Sequence, residues 1–198
     1  RALAGVTQET FGKVNLLCNN AGVFVPGTLE DTSWQNVQWT FAVNVFGVYH
    51  GVMAFLPALR EAAKQDGFAH ILNTASGTAL AVTGRGPKTS AYNGAKHAVL
   101  GLSDSLRADL KEDGIGVSIL CPGPTNTTVW ACETRRPDAF GGKGDARTAE
   151  KETLSTVGQS PDDTAAHTLA AIDHGDFYIV TNISATKTMM NQSLKQRY

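Results

Sequence analysis

Four short apolar runs, each closed by small polar residues, constrain the fold of this 198-residue chain more than any other feature. Val14 to Cys18, broken only by Asn15, leads into Asn19-Asn20-Ala21-Gly22, and Ala69 to Thr74 leads into Ser76-Gly77. Val117 to Cys121 ends in Pro122-Gly123-Pro124, and Phe177 to Val180 ends in Thr181-Asn182. Runs this short and this continuous suit strands buried on both faces, as in a parallel sheet. Helix-length segments separate them: Arg1 to Phe11, Ser33 to about Lys64 as two helices in tandem, Ala91 to Glu112, and Pro161 to Asp173. Asp31-Thr32-Ser33 carries cap chemistry ahead of the second segment. Ser160-Pro161-Asp162-Asp163 sets a cap, a first-turn proline and two acids at the positive end of the last helix dipole. Thr134 to Lys151 is polar and glycine-rich without a sustained period, which predicts a loop or flap. Strands alternating with helices predict an α/β fold, a doubly wound parallel sheet. Ligands of such sheets bind at the carboxyl ends of the strands, so the turns after each run are where chemistry is to be sought.

Composition narrows the function classes. A 42% hydrophobic, 18% charged chain of this length predicts one compact domain spanning residues 1–198. The net charge of −1 comes with no basic stripe, which argues against nucleic-acid or anionic-membrane partners and for small molecules. No uninterrupted apolar run reaches the roughly 18 residues needed to span a bilayer, and the opening residues lack signal-peptide layout. Cys18 and Cys121 end apolar runs and read as buried structural thiols, consistent with a reducing, cytoplasmic setting. The five histidines have no ligand-like spacing, so no metal site is expected.

Tyr92-Asn93-Gly94-Ala95-Lys96 places a phenol and an ammonium four residues apart, on one face of a helix. A fixed positive charge favours the phenolate and brings a tyrosine towards use as a general acid or base near neutral pH. The spacing arises by chance often enough that it identifies nothing alone. Ser76 lies at a strand end, where its hydroxyl can cap a turn or hold a substrate oxygen. Asn44 is a polar residue within apolar Ala42-Val43-Asn44-Val45-Phe46, so it either caps a broken helix turn or holds a water on a proton path beyond Lys96. Asn20, Ala21 and Gly22 allow close approach of a flat ligand or of another strand. Pro122-Gly123-Pro124-Thr125-Asn126-Thr127 stiffens a turn whose amides and hydroxyls suit a carboxamide, or is simply a loop.

Taken together and in this order, Asn-Asn-Ala-Gly, the mid-helix asparagine, the strand-end serine, Tyr-x-x-x-Lys and Pro-Gly-x-x-x-Thr resemble the single-domain short-chain dehydrogenase/reductase family from Arg1 to about Asn182. The resemblance implies a catalytic tetrad of Asn44, Ser76, Tyr92 and Lys96. Tyr92 would be the acid/base, Ser76 would orient the substrate oxygen, Lys96 would lower the phenol's pKa and bind the nicotinamide ribose, and Asn44 would anchor a relay water. It also implies a Rossmann-like fold with NAD or NADP as cofactor, touched by Tyr92 and Lys96, with Asn20, Ala21 and Gly22 on the adenosine-ribose side and Pro122, Gly123, Thr125 and Thr127 by the nicotinamide. The implied activity interconverts a secondary alcohol and a ketone. A homodimer or homotetramer is implied through the helices at 40–60 and 91–112, using Val45, Val48, Val52, Phe55, Val99, Leu102 and Leu106. The family's N-terminal strands and glycine-rich loop have no counterpart before or at Arg1, so the real protein is expected to be longer. The Ser76 to Tyr92 interval is about three residues longer than the family's usual one because of Val82 to Lys88, predicting an added loop beside the substrate entrance. Arg135-Arg136-Pro137-Asp138-Ala139-Phe140 and Phe177-Tyr178-Ile179-Val180-Thr181 resemble a subgroup containing lignin-type Cα-dehydrogenases, which implies a bulky benzylic alcohol. The competing readings are an epimerase or dehydratase using the same Tyr-Lys pair, and a non-catalytic scaffold. A helix is expected from Ser184 onward.

Overall fold

The computed structural model describes residues 2–81 and 88–182. The expected entrance loop, apart from Lys88, and the expected helix from Ser184 lie outside the described residues. Four strands, β1 (Leu16–Asn19), β2 (Ala69–Thr74), β3 (Ile115–Cys121) and β4 (Tyr178–Val180), form a parallel sheet in the order β1-β2-β3-β4. Leu17 stands beside Ile71, Ile71 beside Val117, and Leu120 beside Ile179. Each strand is where its apolar run predicts: β2 has the expected bounds, while both ends of β1 and the starts of β3 and β4 differ by one or two residues.

Among the described residues six α-helices surround the sheet: α1 (Ala2–Phe11), α2 (Trp34–Phe41), α3 (Gly47–Asp66), α4 (Ser90–Asp109), α5 (Thr148–Val157) and α6 (Pro161–His174). Side chains alternate across a strand, so Ile71 and Ile119 pack with Val48, Val52, Phe55, Leu59 and Val99 of α3 and α4. Their neighbours Leu72, Leu120 and Ile179 pack with Ala171 and Ile172 of α6 on the opposite face. Helices on both faces make the sheet doubly wound. The caps are those expected: Ser33 accepts from Asn36 N–H, and Ser160 accepts from the N–H groups of Asp162 and Asp163. Gly67 (φ 69°) and Gly175 (φ 83°) end α3 and α6 in the left-handed region open to glycine.

The structure departs from the sequence reading in four places. The expected tandem helices are one continuous helical run from Trp34 to Asp66, widened into a π turn at Ala42–Phe46 with Asn44 at its centre. By length and composition that run could cross a membrane, yet Val48, Val52, Phe55, Leu59 and Ala62 are buried against the sheet. The expected interface residues Val45, Val48, Val52, Phe55 and Val99 are likewise buried within the chain, with Leu102 and Leu106 partly buried on the same core. The large apolar residues that the run leaves exposed are Trp34 at its start and Phe46, Tyr49 and Met53 further along. Cys121 is buried as predicted. Cys18 is exposed, because β1 is the edge strand of the four and Cys18 points away from the face that Leu17 buries.

The expected flap at Thr134–Lys151 is ordered: it holds the end of a 3-10 turn (Val129–Arg135), a second turn (Asp138–Phe140) and the start of α5. Ion pairs, one local and one across 14 residues, set this segment. Glu133 lies 3.0 Å from Arg136 Nη2 and 3.3 Å from Arg147 Nη1, and no periodicity announces such pairing.

Candidate active site

The three turns that follow β1, β2 and β3 meet at one edge of the sheet, and the first turn of α4 completes the cluster. The start of α4 is held by the loop after β1: Gly27 N–H donates to Lys88 O at 2.6 Å, and Ser90 N–H donates to Gly27 O at 3.2 Å. The β2 and β3 ends are tied by Ala75 N–H to Leu120 O (2.8 Å) and Gly77 N–H to Pro122 O (2.9 Å). These bonds fix Ser76 opposite the third residue of α4, which is Tyr92.

Tyr92 is half-buried, and its phenol stands beside the Ser76 hydroxyl, close enough for that group to favour the phenolate. Ser76 Oγ also accepts from Thr78 N–H at 3.3 Å, so the serine's rotamer is held by its own turn. One helical turn on, Lys96 is 4% exposed, with Nζ 5.7 Å from the centroid of the Tyr92 ring and donating to Thr74 O at 2.9 Å. Burial draws the Lys96 ammonium down to about 8, because a desolvated cation loses its hydration. Burial also raises the Tyr92 phenol above its ordinary value, with the Ser76 hydroxyl acting in the opposite direction. The leading influence on the phenol is therefore desolvation, where the sequence reading expected the Lys96 charge. Below the pair lies Cys121, fully buried, its thiol pushed up to about 12 by that burial against the weaker pull of the Ser76 N–H and of Lys96.

Asn44 is 1% exposed and pairs with one residue through both ends of its amide. Oδ1 accepts from Val23 N–H at 3.0 Å, and Nδ2 donates to Val23 O at 2.9 Å. It thus acts as a surrogate strand for the loop after β1, a role outside both alternatives that the sequence offered. The π turn fits this, since an extra residue in the turn redirects a side chain out of the helical ladder. Gly22 sits directly above: a Cβ there would lie 3.1 Å from Asn44 Oδ1 and 3.6 Å from Lys96 Nζ.

The remaining predicted residues spread along the same edge. Asn20 is exposed and accepts from Thr74 Oγ1 at 3.0 Å, while Ala21 and Gly22 are exposed beside it. Gly123 packs on the turn after β4, where a Cβ would come within 2.9 Å of Asn182 Cβ. Thr125 Oγ1 donates to Gly123 O at 3.1 Å, Thr127 Oγ1 accepts from Val129 N–H at 3.4 Å, and Asn126 N–H donates to Gln159 O at 2.9 Å. Pro122 accepts the Gly77 bond already described. A dinucleotide fits these residues: the glycine at position 22 keeps clear the space over Asn44 and Lys96 that a methyl would fill, and Lys96 gives only one of its three N–H groups to Thr74.

Three residues escaped the sequence reading. Phe24 meets the Tyr92 ring edge-on at 5.0 Å with an interplanar angle of 84°, the Arg147 guanidinium lies 5.2 Å from the Phe24 centroid, and Glu133 holds Arg147. Phe24 follows Asn-Asn-Ala-Gly-Val in an irregular loop, and Arg147 stands 123 residues later in a segment without period, so no pattern joined them.

A doubly wound parallel sheet with polar turns gathered at its carboxyl edge is the architecture of dinucleotide-binding folds. The family model described as short chain dehydrogenase matches residues 1–137, and the chain belongs to that family. It is 30% identical over 192 residues to a 1-deoxy-11-beta-hydroxypentalenate dehydrogenase of Streptomyces exfoliatus, covering 96% of this chain and 62% of that protein. It is 30% identical over 136 residues to a D-beta-hydroxybutyrate dehydrogenase of Rhizobium meliloti, covering 69% of this chain and 49% of that one. Among solved structures, a short-chain dehydrogenase/reductase of Burkholderia phymatum in complex with NAD superposes with a TM-score of 0.83 at 35% identity, covering 99% of this chain and 72% of that chain. The chain thus spans less than two thirds of the length of these curated relatives.

Proposed function

We propose that the protein interconverts a secondary alcohol and a ketone with NAD or NADP, and that the edge cluster described above is its active site. The observation that carries this reading is the Tyr92 phenol standing beside the Ser76 hydroxyl, with the buried Lys96 one turn along the same helix. When bound, the nicotinamide accepts or supplies the hydride. Tyr92 takes the proton from the alcohol oxygen, or returns it to the forming alkoxide. Ser76 shares a hydrogen bond with that oxygen and keeps it within reach of the phenol.

Lys96 donates to Thr74 O with one N–H and has two more for a ribose hydroxyl. Asn20, Ala21 and Gly22 would hold one ribose side of the dinucleotide, and Pro122, Gly123, Thr125 and Thr127 the nicotinamide side. Asn44 holds Val23 and, through it, the Gly22 turn, which makes it a positioning residue. Support for a hydroxyl-bearing substrate comes from the two dehydrogenase relatives, whose names specify a hydroxypentalenate and a hydroxybutyrate. Support for a nicotinamide dinucleotide comes from the NAD complex of the Burkholderia relative.

Tyr92→Phe in the full-length protein tests the assignment. It keeps the ring and its contact with Phe24 but removes the proton-carrying oxygen, so turnover should fall at least ~100-fold while nucleotide affinity stays near wild type. Turnover close to wild type would overturn the assignment.

A further inference from the structure

The wall beside the phenol is built from residues that the reaction itself does not use. Phe24 and Tyr92 are both half-buried and stand perpendicular, with centroids 5.0 Å apart, so anything held at the phenol oxygen lies next to the Phe24 ring. Phe24 is fixed from three directions. Its carbonyl oxygen accepts from Cys132 Sγ at 3.4 Å, and its sequence neighbours Val23 and Val25 are buried with Trp39 and Cys132. One face of its ring is covered by the Arg147 guanidinium at 5.2 Å.

Arg147 is itself held by Glu133 Oε1 (3.3 Å) and Glu150 Oε1 (3.2 Å), and its Nη2 approaches Cys132 Sγ at 3.8 Å. Two arginines, 136 and 147, and two glutamates, 133 and 150, balance here, so the cluster offers no net charge to a substrate. It offers a braced aromatic surface. A braced ring discriminates better than a mobile one, because a poorly fitting substituent cannot push it aside without breaking the cation-ring contact and the ion pairs behind it.

We propose that Phe24 is a specificity-determining residue, against which the larger, apolar substituent on the hydroxyl-bearing carbon of the substrate rests, and that Arg147 positions it. The proposal rests on the alcohol-ketone reading and goes beyond it by naming the apolar flank of the substrate and the residue that selects it.

The test compares kcat/KM for 1-phenylethanol and for 2-propanol, with NAD and with NADP, in the full-length protein and its Phe24→Ala, Phe24→Leu and Arg147→Met variants. Phe24→Ala should lower the ratio of the aryl to the alkyl alcohol about tenfold, mainly through KM for the aryl substrate. Phe24→Leu should recover part of that ratio, and Arg147→Met should move it in the same direction by less, with nucleotide affinity unchanged in each. Should Phe24→Ala fail to fold, the other two variants decide. A ratio unmoved in all folded variants, or both alcohols slowed by the same factor, overturns this proposal while leaving the reaction assignment standing. Wild-type protein inert towards both alcohols and both corresponding ketones overturns the reaction assignment, and this proposal with it.

Discussion

Lys96 and Tyr92 respond to one burial in opposite senses, and the consequence for Lys96 is measurable. Its ordinary value of 10.5 falls to about 8 in the folded chain. Below pH 8 the lysine is charged in both folded and unfolded states, and its desolvation fully opposes folding. Between pH 8 and 10.5 the folded state releases the proton first, so the unfolded state binds more protons and stability rises with pH; above 10.5 the opposition is gone. The size of the effect is on the order of a few kcal/mol. Lys96→Met has no such proton. The stability difference between wild type and Lys96→Met in the full-length protein, measured by urea midpoints at pH 7 and pH 10, should therefore shift in favour of wild type at the higher pH. An equal difference at both values would show that Lys96 keeps its solvation. The sequence made Tyr92 and Lys96 legible as a pair because helical spacing alone brings them together. The burial of the phenol was not legible, since it depends on packing that brings Phe24 from the loop after β1 against the ring.

At the scale of elements, one glycine lets α3 lie close against the end of β1. Asn19 Nδ2 donates to Asn73 Oδ1 at 2.9 Å, and Asn73 Nδ2 donates to Ser103 Oγ at 3.0 Å, a polar ladder from the edge strand through β2 to α4. Gly51 of α3 lies against it so closely that a Cβ would run into Asn19 Oδ1. Gly51→Ala should therefore destabilise the fold by about 1–3 kcal/mol, as forced overpacking does, although alanine is the better helix former. Gly5→Ala in α1 is the control, since a Cβ there meets nothing within 4 Å and should stabilise by about 0.5–1 kcal/mol. Chemical denaturation of both variants checks the contrast, and two variants of the same sign would refute the packing argument. Strands, caps and helix ends of this kind were legible because they depend on local pattern: apolar runs, Ser33, Ser160 and Pro161. The π turn at Asn44 was not, because its cause is the Val23 backbone 21 residues away. Nor was the order in Thr134–Lys151, where Glu133, Arg136 and Arg147 supply through charge and ring stacking what a hydrophobic period supplies elsewhere.

At the scale of the whole molecule, we propose a homodimer or homotetramer formed through the helices at 40–60 and 91–112, and the structure changes which residues would serve it. Val48, Val52 and Phe55 are committed to the sheet and cannot face a partner without opening the core. Phe46, Tyr49 and Met53 remain 52%, 45% and 71% exposed, spaced by three and four residues, which puts them in one stripe along the outer face of the same helical run. A single exposed apolar residue needs no explanation, but an aligned aromatic-aromatic-thioether stripe on a long helix is suited to a self-complementary contact about a two-fold axis. A two-fold contact brings each stripe against its own copy, so a charge introduced at its most exposed member is faced by the same charge from the partner and both are desolvated. Full-length protein should therefore run as a dimer or tetramer by light scattering at micromolar concentration, and Met53→Glu should shift it towards monomer with its far-UV circular dichroism unchanged. Because Met53 is 71% exposed and outside the buried core, folding should survive the loss of assembly. Assembly unaltered by Met53→Glu would place the interface on another face.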